Sequence, residues 1–243
     1  MKVRFSIVIF FLLISHLSFG QAIGDTNAVH WDYPIKAGTE EWAALKTWDA
    51  RYDACQIPLA VLDTISTKEL VQVCLNYPPY ATYELFFKDE REGITFLIKR
   101  FNGLWELTQR KDGVSELIKA YIDYPVLSQF EKDKNSKNYF APLRLSFLEL
   151  VLADSLFLNQ LNTVELDEFK QIVINKYADK VQNSNVYGLS SIKNTLLLAT
   201  IVIDEQKIEK STKQQETITN FIKNYRYAES NLVIEISNII IAL

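Results

Sequence analysis

The chain has 243 residues, 48% hydrophobic and 23% charged, with 26 Lys and Arg against 30 Asp and Glu. Seven Gly, six Pro and two Cys exclude a collagen-like chain, a low-complexity disordered one and a disulfide-dense miniature scaffold. The length suits one large domain or two small ones.

Residues 1–20 have the pattern of a secretory signal peptide. Lys2 and Arg4 supply a positive start, Phe5 to Ile14 run apolar apart from Ser6, and Ser18-Phe19-Gly20 puts small residues where a signal peptidase reads. Cleavage is expected before Gln21. The apolar run is short for a membrane span, and no Cys follows it to carry a lipid. The alternative is an uncleaved anchor. Loss of Lys2 and Arg4 leaves 24 basic residues against 30 acidic ones, a formal charge of −6. No basic stripe offsets that charge, so nucleic acid is not an expected partner.

Residues 21–38 hold two Gly and one Pro with no helical period, and read as a flexible N-terminal arm. From Thr39 to residue 243 the pattern is helical nearly throughout and reads as a single all-α domain. Thr39 is placed to cap a helix carrying Trp42, Leu45, Trp48 and Tyr52. Pro58 suits the first turn of a short helix through Leu62. Ser66 and Glu69 form a capping-box pair before a helix with Leu70, Val71, Val73, Cys74 and Leu75, stopped by Pro78-Pro79. A helical stretch over 80–101 is expected to end at the turn-forming Asn102-Gly103. Val114, Leu117, Ile118, Tyr121 and Ile122 mark one face of a helix ending before Pro125.

Residues 126–139 read as the longest internal loop. Residues 143–161 are apolar almost all round and read as one central buried helix, which Arg144, Glu149 and Asp154 interrupt too often for a lipid span. Asn162 to Glu165 open a helix to about Lys180. Residues 189–204 form a second very apolar helix, too short between Lys193 and Asp204 to cross a membrane. Thr212 opens the next helix, and residues 229–242 make the last.

A weak internal repeat runs through these helices. ELVQVCLNYP (69–78) and ELIKAYIDYP (116–125) match in register, with fainter echoes in EFKQIVINKY (168–177) and ETITNFIKNY (216–225). Their tyrosines, Tyr77, Tyr124, Tyr177 and Tyr225, are spaced as in helix-pair arrays of HEAT or armadillo size. Composition alone is the competing explanation. The fold class read from the sequence is therefore all-α, a multi-helical array of antiparallel helix pairs.

The chemistry is restricted mainly by missing histidine. His16 belongs to the leader, which leaves His30 as the only histidine of the mature chain. A Ser-His-Asp or Cys-His arrangement would need that one residue brought onto the body, and a His-rich zinc site is impossible. Paired carboxylates stay open for glycan hydrolysis. Glu149 and Asp154, in the most apolar helix, are the carboxyls that burial would perturb, unless each serves a helix edge or pairs with Arg144 or another base. Cys55 and Cys74 read either as a disulfide in an oxidising compartment or as two buried thiols. No cofactor is expected. Trp31 and Tyr33 in the arm, and Phe130 and Tyr139 beside the long loop, are the candidate binding aromatics. Trp31 and Tyr33 can equally pack the arm onto the body.

KAGTEEWAALKT (36–47), ACQIPLAVLDTISTKELVQVCLNYP (54–78), FNGLWELTQRKD (101–112) and YPVLS (124–128) carry a resemblance to a family of exported bacterial proteins, chiefly from Bacteroidetes. The resemblance covers about half the chain and implies export and a helical fold. That family has no established activity, so it implies no site. The expectation is an exported helical module, periplasmic or extracellular. It would bind a protein, a peptide or an envelope glycan without transforming it. A carboxylate-dependent glycan hydrolase is the alternative, and a purely structural envelope component the third reading. Two inward carboxylates in a cleft would mark the hydrolase; exposed aromatics or uncompensated charge in a groove would mark binding.

Overall fold

The computed structural model describes residues 30–124, 141–206 and 209–242, and every regular element among them is a helix. The signal-peptide pattern, residues 21–29 of the expected arm, and the expected loop with Phe130 and Tyr139 lie outside the described residues.

In chain order the α-helices are α1 (Glu40–Ala44), α2 (Trp48–Ala54), α3 (Leu59–Leu62), α4 (Thr67–Leu75), α5 (Thr82–Phe86), α6 (Glu90–Arg100) and α7 (Asn102–Gln109). Then come α8 (Gly113–Asp123), α9 (Ala141–Leu152), α10 (Ser155–Leu158), α11 (Thr163–Gln182), α12 (Ser184–Glu205), α13 (Thr212–Asn224) and α14 (Ser230–Ala242). A short 3-10 turn at Tyr225–Tyr227 joins the last two.

The starts follow local chemistry. The Ser66 hydroxyl accepts from the Glu69 N–H, and Asn162 and Ser211 each form a full capping box, with Glu165 and Gln214. Each such cap stabilises its helix by about 1 kcal/mol. At Ser66 only half the box forms, because the Glu69 carboxylate turns to His30 instead.

Three expected helices are broken. The stretch from Thr39 splits into α1 and α2, since Thr47 caps a second start by accepting from the Ala50 N–H. The stretch over 80–101 splits because Asp89 accepts from the Arg91 N–H and opens α6. The central stretch over 143–161 splits because Asp154 accepts from the Leu156 N–H and opens α10. α6 ends at Arg100, where an end was expected, but Asn102-Gly103 begins α7 at once, and the Asn102 amide bridges the Ile57 N–H at 2.9 Å and the Ile57 carbonyl at 2.7 Å.

α9 and α12 form the centre. α12 packs on α9, α11, α13 and α14, and α9 also meets α4, α6 and α8. Phe147 and Leu148 of α9 and Leu196, Leu197, Leu198, Val202 and Ile203 of α12 are fully buried. Each such side chain contributes roughly 1.5–3 kcal/mol of transfer free energy. α12 begins earlier than the sequence indicates, and bends at Gly188, whose φ of 69° suits glycine. At 22 residues it is long and apolar enough to cross a membrane, but 72% of its apolar window is buried inside the fold.

The four echoed segments each begin on a helix, and these helices start at nearly regular intervals. The N-caps of α4, α8, α11 and α13 are Ser66, Asp112, Asn162 and Ser211. Side-chain hydrogen bonds in the first half also recur at a nearly constant separation. Asn102 meets Ile57 across 45 residues, Thr67 meets Asp112 across 45, and Arg110 meets the Ile65 and Leu62 carbonyls across 45 and 48.

Candidate functional site

Residues 30–37 of the arm lie against the end of α4, the turn that follows it and the start of α9, and enclose a groove of about 740 Å³. That volume falls within the range of small-ligand sites. The arm is anchored by Tyr33, which is 4% exposed and donates its hydroxyl to the Val73 carbonyl at 3.0 Å. Burial pushes the Tyr33 phenol far above its usual range, so it remains a neutral donor. Trp31 packs edge-on against Tyr33, ring centroids 4.6 Å apart, and stays half-buried at the groove wall.

The structure thus brings Trp31 and Tyr33 to one groove in different roles. Tyr33 is a core anchor, and Trp31 keeps part of its ring open to the groove. Gln72, Asn76, Tyr80 and Arg144 line the same groove. The sequence offers Tyr80 within an aromatic cluster, Tyr77, Tyr80, Tyr83, Phe86 and Phe87, that reads either as a platform or as core, and offers Arg144 only as a base for a buried carboxyl. Tyr80 follows the double proline and Arg144 opens an otherwise apolar helix.

Two carboxylates line the groove, each with a basic neighbour. Asp32 is bonded by the Lys36 ammonium, and that contact holds its carboxyl below the ordinary range. Glu69 Oε1 lies 2.7 Å from His30 Nδ1. Arg144 differs. It meets the Tyr80 hydroxyl, but among the described residues no carboxylate lies within ion-pair distance of it, and its Nε is enclosed without a hydrogen-bond partner.

The other singled-out carboxyls have structural partners. Glu149 is fully buried and pairs with Lys180, not Arg144. Its oxygens accept from Lys180 Nζ at 2.9 and 2.7 Å, from Thr195 Oγ1 at 2.8 Å and from the Tyr121 hydroxyl at 3.2 Å. Lys180 also donates to Ser191 Oγ at 3.0 Å, and its burial pulls the ammonium pKa down against the pull of Glu149. Asp154 caps α10 and accepts from Thr95 Oγ1 at 2.7 Å. Among the described residues no group of His, Cys, Asp and Glu is placed to hold a metal ion.

Cys55 and Cys74 are free and wholly buried. Burial pushes the Cys55 thiol up to about 11 and the Cys74 thiol well above its usual value. Thiols in that state are poor nucleophiles at neutral pH, because the thiolate is the reactive form.

No family model, no curated protein and no solved structure matches the chain.

Proposed function

We propose that the chain is an exported, non-catalytic binding module whose groove takes a saccharide of the cell envelope. The observation that carries this reading is the make-up of the groove. A partly open indole faces planar polar side chains, Gln72, Asn76 and Arg144, within about 740 Å³. An indole face suits the C–H face of a sugar ring, and in-plane amide and guanidinium groups suit its vicinal hydroxyls.

The hydrolase reading has less support. A general acid needs a carboxyl whose pKa is raised, and in this groove Asp32 is pushed the other way by Lys36. Glu69 is engaged by His30. The regular N-cap intervals and the recurrent hydrogen-bond separations support stacked helical units of the kind that present such grooves. Export rests on the leader pattern of residues 1–20.

The test is binding of the mature protein to an array of bacterial envelope oligosaccharides, beside Trp31→Ala. Retention of a defined subset that the variant loses is the expected result. Absence of binding, or release of new reducing ends, overturns the reading.

A further inference from the structure

We infer that the saccharide bound in this groove carries an oxyanion, a carboxylate or a sulfate, which Arg144 neutralises. The inference rests on the binding reading above and names the class of ligand it implies. The formal charges of the groove divide unevenly. Asp32 is matched by Lys36, and Glu69 has His30 beside it. Arg144 is matched by no carboxylate among the described residues. It is half-buried, so water compensates only part of its charge.

Its surroundings are those of a waiting counter-ion site. Its Nε is enclosed without an acceptor, and the nearby Tyr80 is a neutral phenol that burial keeps protonated, so that neighbour supplies no negative charge. A guanidinium presents a planar fork that fits two oxygens of a carboxylate or sulfate at once. Glu149, five residues along the same helix, does not serve it, because Lys180 occupies that carboxylate. Lys180 and Arg144 thus have separate duties: Lys180 closes the core, and Arg144 lines the groove.

The experiment is an array on which each uronic oligosaccharide stands beside its methyl ester and each sulfated one beside its desulfated form. Wild-type protein is expected to hold the charged member of a pair about tenfold or more tightly, with the margin shrinking in salt. Arg144→Gln should bring the two members level, read as the ratio within each pair so that any loss of hydroxyl contacts common to both members cancels, and Arg144→Lys should recover part of the margin. Preference within the uronic pairs or within the sulfated pairs identifies which oxyanion is meant. Equal binding of charged and neutral members by wild type, lost in Trp31→Ala, overturns this inference and leaves the groove reading standing. No binding to any member overturns both. If the Arg144 variants lose their helical circular dichroism, the wild-type salt response decides, and a charged-member preference indifferent to salt overturns the inference.

Discussion

Lys180→Met cuts the buried ion pair at its basic end while keeping most of the side-chain length. Glu149 would retain the Thr195 and Tyr121 hydroxyls but no cation, in a site with no solvent exposure. Breaking a buried pair from one side costs about 3–5 kcal/mol. In a chain of this length each kcal/mol moves the melting midpoint by about 2–4 °C. The expected loss is therefore on the order of 6–20 °C. Glu149→Gln should cost a similar amount by stranding the ammonium. Removing the carboxylate also removes the interaction that raises the Lys180 pKa, so in this variant it falls further. A lysine whose folded pKa lies below its unfolded value is penalised while protonated. The Glu149→Gln variant should therefore regain stability as pH rises from that lowered value toward 10.5. The double change Glu149→Gln with Lys180→Met removes both charges and should cost far less than the two single changes together. Urea and thermal unfolding of the four proteins, followed by circular dichroism, measures the coupling. Single losses below about 1 kcal/mol, or a double change that is simply additive, would refute the argument.

Three further outcomes are expected. Gly113→Ala should destabilise by about 1–3 kcal/mol or more, read as a lower melting temperature, because its Cβ would lie 2.0 Å from the Leu107 carbonyl oxygen. Arg110→Ala should cost about 2–3 kcal/mol in urea unfolding, since Arg110 bonds the Leu62 and Ile65 carbonyls at 2.7 and 2.8 Å. In reduced protein at pH 8, Cys55 and Cys74 should react slowly with a thiol reagent until denaturant is added. Rapid native labelling of both would contradict their burial and raised pKa values.

Helix identity was legible where a cap coincided with an apolar stripe, as at Ser66 and Asn162. The breaks at Thr47, Asp89 and Asp154 were not. A Thr or Asp inside a helical pattern can continue the helix or open a new one, and tertiary packing decides which. Asn102 misled for a related reason: its amide looked like a stop signal but bridges to Ile57, a partner 45 residues away. Glu149 was legible as a buried carboxylate needing a base. That the base is Lys180 was not, because α11 carries charges around much of its surface and does not single that lysine out. For the groove, Trp31 stood out because no helix explained it. Arg144 looked like an interruption of an apolar helix until Tyr80 and the arm were placed beside it.

The Tyr225 hydroxyl donates to Glu90, and Arg226 reaches the carbonyls of Phe87 and Lys88, spanning 135 to 139 residues of chain. Arg91 also donates to the Ile222 carbonyl. An array of independent units can lose its last member and survive, but a fold closed across itself in this way would not. Until Tyr225 and Arg226 dock, the folding chain carries an uncovered acidic seat at Glu90, so the body is completed only by its last stretch.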